Sequence, residues 1–473
     1  MGPTRKTIAM AGMGCLATVI AGCSANGVLS RLTVTPSPHE QYADGLRSAS
    51  LDQSALGRDW LRVGEAVLAS AVTVPLPFRE AGYFPAEAAA VAYQFELPRG
   101  RRLAVDVSFD SLDGGQLFVD LFEHREGEAP RRVESLTEGA TLTYEVPRDG
   151  RYLLRLQPEL MRSGRFTIVE RTLASLRFPV SGLTAAAVQS EFGAARDAGR
   201  REHEGIDIFA ARGTPVVAVV DGHAGTGTNG LGGNVVWLRE GRTGRRFYYA
   251  HLDKWALDGA TAVRAGDVLG YVGNTGNART TSPHLHFGIY ERGSIDPLPF
   301  LQMDDAVPPA VKGSLDRLGE WVRVSAARTP LREGVARTSA ARAQLERTVV
   351  MRAMGITAEG LRVVIPDGST GYVVAGATVA ARTALRQQRL AAGATLYERP
   401  LAQAPVIEVV EAPVDVGVLG TFNGYLLVRR DDPPTEAWIQ AAPPARTSAR
   451  TSAAQPVDSR QQVRALVPAQ TLP

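Results

Sequence analysis

At 473 residues the chain has room for about three domains. Its 44% hydrophobic and 21% charged residues exclude a disordered or fibrous protein. The net charge of +3, two units of which come from Arg5 and Lys6, is too small to suggest nucleic acid as a partner.

Taken in chain order, residues 1–22 read as a signal peptide: Arg5 and Lys6 precede an uncharged apolar run, Thr7 to Gly22, that ends in small residues. That run is shorter than the ~20 residues a spanning helix needs. It closes Ile20-Ala21-Gly22-Cys23, which resembles a bacterial lipobox and makes Cys23 the expected lipidation site and membrane anchor. With Cys15 removed and Cys23 acylated, neither of the two cysteines is left for a disulfide. Residues 23–60 are mixed and polar and read as a tether. Over 61–172 apolar residues alternate between turns, which predicts a β-sandwich. Two pieces rhyme there, "YQFELPRGRRLAVDV" from Tyr93 and "YEVPRDGRYLLRL" from Tyr144, each with the signature of a hairpin. Residues 175–302 are rich in glycine and β-branched residues, without helical periodicity, and predict a sheet domain. Residues 315–440 return to strands, and "LRVVIPDGSTGYVV" from Leu361 resembles the end of a bacterial SH3-like module, in one or two copies. Residues 441–473 lack any apolar run and read as a disordered tail. The fold class is all-β.

Five of the seven histidines fall between positions 203 and 286. In "REHEGIDIFA" an extended backbone puts His203, Gly205 and Asp207 on one face, and the glycine removes a side chain that would block a shared ligand. Alone, this pattern also fits a polar edge strand. In "SPHLHFGIY" His284 and His286 share a face while Leu285 and Phe287 point into a core, which fits a structural pair as well as a shared site. Together, two histidines and one carboxylate make a zinc set with an open position, the pattern of a catalytic centre. The Gly-x-Gly-x-x-Gly of "GTGTNG" leads into a strand where a dinucleotide site needs a helix, and reads as a glycine-rich groove loop. His223 reads as exposed, and His39 as isolated among polar neighbours.

The stretch "FGAARDAGRREHEGIDIFAARGTPVVAVVDG", with "YYAHLD", "GYVGNTG" and "SPHLHFGI", resembles in order and spacing the lysostaphin/LytM-type zinc metalloendopeptidases of bacterial cell walls. The resemblance covers about residues 178–301. It implies an antiparallel sheet groove, one Zn²⁺ held by His203, Asp207 and His286, and catalytic roles for His251 and His284 beside a metal-activated water. It implies hydrolysis of peptide cross-links in peptidoglycan. A tyrosine that some members carry before the first ligand has no counterpart in "RDAGRRE", where Arg196, Arg200 or Arg201 could support the oxyanion. The alternative is a non-catalytic wall-binding activator of an amidase; such relatives have typically lost ligands that are present here. The expected location is the cell envelope, lipid-anchored in an outer membrane and facing the periplasm.

Overall fold

The structure, a computed structural model, describes residues 35–441 apart from 112 and 303–305. The signal peptide, Cys23 and the tail from 442 onward lie outside the described residues. Among the described residues no helix is long and apolar enough to cross a membrane. The chain divides into two compact units, one through Ala384 and one from Leu385.

The first departure from expectation comes early. Residues 35–60 are not an extended tether: helix α1 (Pro38–Ser48) starts in a capping box between Ser37 and Glu40, and α2 (Ala55–Ala66) is capped by Ser54. Trp60 is almost fully buried. Its ring stacks on His39 with centroids 4.8 Å apart, and its Nε1 donates to the Pro158 carbonyl at 2.8 Å. His39 meets Gln157 Oε1 at 2.8 Å, so it is a core residue. The buried stripe of α1 is only His39, Ala43 and Leu46, too thin to show as hydrophobic periodicity.

Among the described residues nine strands follow through Ala174, seven of which build most of the core: β1 (Phe78–Phe84), β2 (Val91–Leu97), β3 (Arg101–Ser111), β4 (Leu117–His124), β5 (Thr141–Glu145), β6 (Gly150–Pro158) and β7 (Gly164–Ala174). β1, β7, β3 and β5 lie in one sheet and β2, β6 and β4 in another. Both sheets contribute to one apolar core, with Phe84, Val105 and Phe166 from the first and Tyr93, Leu121 and Leu154 from the second. The two expected hairpins are absent. β2 pairs with β6 and β3 with β7, so each Pro-Arg turn carries the chain from one sheet to the other. The turn residues specify a reversal; they do not say whether the two arms bond each other or arch across a core.

The central domain uses β8 (Ile206–Phe209), β9 (Gly222–Asn229), β10 (Gly233–Arg239), β11 (Arg246–Trp255) and β12 (His284–Tyr290) in the order β8-β12-β11-β10-β9. All pairings along this path are antiparallel. The alternation works as read: Leu285, Phe287 and Ile289 on β12, Ile206 and Ile208 on β8, and Phe247 and Tyr249 on β11 are fully buried in one core. Each such side chain contributes roughly 1.5–3 kcal/mol of burial. The alternate residues therefore face the other way, which is where the histidines are. "GTGTN" lies within β9 and pairs with β10, a strand rather than the expected loop.

Beyond residue 320, β13 (Val350–Ile356), β14 (Gly360–Val364) and β15 (Thr370–Val374) do not stand apart. β13 pairs with β1 through Ala81↔Ile356 and Gly82↔Gly355, extending the first sheet to eleven strands. At that seam Glu80 is fully buried and accepts from Arg362 Nε at 2.9 Å, Tyr93 Oη at 2.7 Å and Tyr372 Oη at 2.9 Å. The stretch expected to hold an SH3-like region in one or two copies is thus divided between the two units, its first part built onto the N-terminal sheet. The unit from Leu385 has its own six-stranded sheet over a core of Leu396, Val416, Val428 and Ile439.

Candidate metal centre

The register of β8 on β12 sets Asp207 opposite His286 and Phe209 opposite His284. His203 enters just before β8. Its Nε2 lies 3.1 Å from Asp207 Oδ1 and 2.9 Å from His286 Nδ1, and His286 Nδ1 lies 3.0 Å from the same Oδ1. His203 Nδ1 is 2.8 Å from the Glu191 carbonyl, which can only accept, so Nδ1 carries the proton and Nε2 presents a lone pair. One proton at most can sit among three such atoms. The remaining approaches oppose lone pairs, unless a cation stands between them. Tetrahedral zinc with bonds of 2.0–2.1 Å separates its ligand atoms by about 3.3 Å, close to these distances. The donor set, two neutral imidazoles and a carboxylate, suits zinc, and these residues form a group able to hold a metal ion.

The surroundings enforce the arrangement. A Cβ on Gly205 would come within 2.4 Å of the Phe287 carbonyl and 2.8 Å of the His286 ring, so only glycine leaves the ring where it is. Arg196 donates to Asp207 Oδ2 at 2.6 Å and to Ser190 Oγ at 2.6 Å, which turns Oδ1 toward the centre. Burial alone would raise the Asp207 pKa; the proton that the His203–His286 side can donate outweighs it and holds the carboxyl far below the usual range. Burial lowers the His286 pKa, against the pull of Asp207, favouring its neutral form.

Two more imidazoles flank the group. His284 Nδ1 donates to the Ser282 carbonyl at 2.9 Å, and its ring stacks on Phe209. His251 Nδ1 donates to the Thr275 carbonyl at 2.8 Å. Both therefore present Nε2 as an acceptor. Their ring centroids are 5.0 Å apart, and His251 is 6.1 Å from His286. Burial lowers the His251 pKa to about 4, although the Thr275 hydrogen bond opposes it, so His251 is neutral at pH 7.

Strict alternation would send His251 into the core. Instead β11 bulges against β10 between Asn234 and Val236, and His251 takes a left-handed backbone with φ 63°. The extra residue lets Tyr249 and Leu252 both stay buried while His251 joins the site face. Such a conformation costs on the order of 1–2 kcal/mol in a non-glycine residue.

All five residues singled out in the sequence thus come together. The carbonyls of Glu191, Thr275 and Ser282 and the contact of Arg196 with the carboxylate were not assigned these roles: main-chain acceptors carry no sequence signature, and the pairing of Arg196 with Asp207 depends on the fold. His223 is exposed and lines a separate recess of about 900 Å³ with Arg102, Arg177 and Glu240; none of the metal group lines it.

The sequence profile of peptidase family M23 matches residues 201–297, a span that contains all five residues. The chain carries a peptidase family M23 domain. The glycyl-glycine endopeptidase ALE-1 of Staphylococcus capitis is 40% identical over 108 residues, 21% of this chain and 29% of that protein. The DD-carboxypeptidase/endopeptidase Mpg of Neisseria meningitidis serogroup B is 44% identical over 88 residues, 18% of this chain and 20% of that protein. The L-Ala–D-Glu endopeptidase of Bacillus subtilis is 37% identical over 139 residues, 26% of this chain and 42% of that protein. The chain spans less than half the length of each of these relatives.

Proposed function

We propose that this protein is a zinc-dependent endopeptidase that hydrolyses peptide cross-links in bacterial peptidoglycan. The observation that carries the reading is the convergence of His203 Nε2, Asp207 Oδ1 and His286 Nδ1, within about 3 Å of one another, beside two further imidazoles with free Nε2 atoms. The peptidase names of the M23 relatives support the reaction class. Those names describe three different bonds, so the scissile bond is left to experiment.

When bound, zinc supplies a Lewis acid and brings water close to deprotonation near neutral pH. The protein's own work is proton handling and orientation. His251 and His284, each locked by a carbonyl at Nδ1, offer Nε2 to the reacting groups. One accepts the proton of the attacking water and passes it to the leaving amine; the other, protonated at Nε2 from solvent before the attack, hydrogen-bonds the developing oxyanion and keeps that proton. Arg196 keeps Asp207 in its coordinating orientation. A complete set of ligands and acceptors favours catalysis over the amidase-activator role.

The test is digestion of purified sacculi by residues 24–473, with fragment analysis by mass spectrometry. Loss of cross-linked dimers, abolished by chelation and by His286→Ala, is the expected result. Intact sacculi that nevertheless bind the protein would favour the activator. We infer as well, from the sequence Ile20-Ala21-Gly22-Cys23, that Cys23 anchors the protein in the outer membrane facing the periplasm. Cys23→Ser would then move it from the membrane fraction to the soluble one.

A further inference from the structure

The site face of the M23 sheet does not end at the histidines. Along β12, Gly288 and Tyr290 continue the face of His284 and His286. Tyr248 on β11 stands opposite Gly288 and, on its other side, opposite Trp237 on β10. The Tyr248 ring lies edge-on to His286, with centroids 5.9 Å apart. Trp237 packs on Tyr248 at 4.5 Å and on Tyr290 at 5.4 Å, and Arg246 lies over the Trp237 ring at 5.5 Å. Three aromatic rings on three neighbouring strands thus run from a metal-site residue outward. Trp237 nevertheless remains 38% exposed.

Its far neighbour gives the surface its shape. Trp237 pairs with Gly225 on β9, where an added Cβ would meet nothing within 4 Å, so the floor beyond the indole is bare and open. The rim is polar: Tyr248 Oη accepts from Asn229 Nδ2 at 3.0 Å, and Tyr290 Oη donates to Glu204 Oε2 at 3.4 Å. A partly exposed indole flanked by two rings tilted at 38° and 57°, with the Arg246 guanidinium and further hydrogen-bonding groups around it, matches a pyranose ring, which has C–H groups on its face and hydroxyl or amide groups on its rim. A small aliphatic side chain would need an enclosing pocket, and this surface encloses nothing. The two ring-to-ring steps from His286 to Trp237 fall well within the roughly 13 Å that a four-residue stem peptide can span.

We propose that Trp237, with Tyr248 and Tyr290, forms a carbohydrate-stacking ledge that seats a hexosamine of the glycan strand beside the peptide-cleaving centre. The protein thereby prefers stems still attached to sugar over free peptides. This inference rests on the reading of the site as a peptidoglycan endopeptidase.

The test is binding, measured by calorimetry on the zinc-loaded His284→Ala protein so that turnover does not interfere. The probes are a disaccharide-tetrapeptide and the same tetrapeptide without sugar. The disaccharide form should bind about tenfold more tightly. Adding Trp237→Leu should erase that difference and leave peptide binding unchanged, while Trp237→Phe should keep most of it. Tyr290→Leu, at the edge of the ledge, should also narrow the difference and serves if Trp237→Leu does not fold. Equal binding of the two probes, no binding of the disaccharide form, or an equal loss for both probes in Trp237→Leu would overturn the ledge. Failure of the cleavage reading looks different: the parent protein leaves sacculi intact even though the sugar preference and its dependence on Trp237 persist.

Discussion

Arg196 is a residue whose role only the structure reveals. It binds the outer oxygen of Asp207 and touches neither His251 nor His284 through any hydrogen bond described. Partners of this kind, which orient a ligand, typically contribute 10–100-fold to metal affinity. Arg196→Ala should weaken zinc binding by about that factor in a chelator competition, with an unchanged circular dichroism spectrum. A second residue to test is Glu170, fully buried on β7 with neither carboxylate oxygen hydrogen-bonded. Burial first, and the nearby Glu80 charge second, push its pKa well above the usual range. Because the folded-state value is raised, Glu170 favours folding below the unfolded carboxyl pKa of about 4.3, and that contribution is lost as pH rises. Glu170→Gln should therefore be more stable than the parent at pH 8, with the gap closing toward pH 4, as thermal unfolding at the two pH values would show.

At the scale of the element, β12 has two faces with separate duties. Phe287→Ala removes a fully buried ring and should cost about 3–5 kcal/mol in urea denaturation, whereas His286→Ala, one position earlier, should leave the fold intact. This division was legible in "PHLHFGIY", as was the matching face of β8, because period-2 alternation reports which side of a strand meets the core. The bulge at His251 was not legible. Only the burial of both Tyr249 and Leu252, one position out of phase with strict alternation, reveals it. The arches at Pro98 and Pro147 were misread as hairpins for a related reason: local turn chemistry is the same for both.

Across the whole molecule, the unit through Ala384 is held together by pairings that no local pattern encodes. β1 and β13 are more than 260 positions apart in sequence, and their pairing sets Glu80 against Arg362 and two tyrosines. Removing one partner strands the other's buried charge. Arg362→Met should cost about 3–5 kcal/mol in urea unfolding of the full chain, and Glu80→Gln in the same background should recover part of it. What the sequence did convey at this scale was the β character of the chain and the M23 segment, whose motifs lie within about 120 residues. The helices over 38–66 and the division at residue 384 depend on packing partners far away in sequence.

The central claim is that His203, Asp207 and His286 hold one zinc ion while His251 and His284 act beside it without holding it. Zinc content per chain, measured by elemental analysis after dialysis, tests this when paired with sacculus cleavage for each single alanine variant. The parent should carry one zinc. The His203, Asp207 and His286 variants should lose both metal and cleavage, and the His251 and His284 variants should keep the metal and lose only cleavage. Full zinc in His286→Ala, or loss of zinc in His284→Ala, would contradict the account.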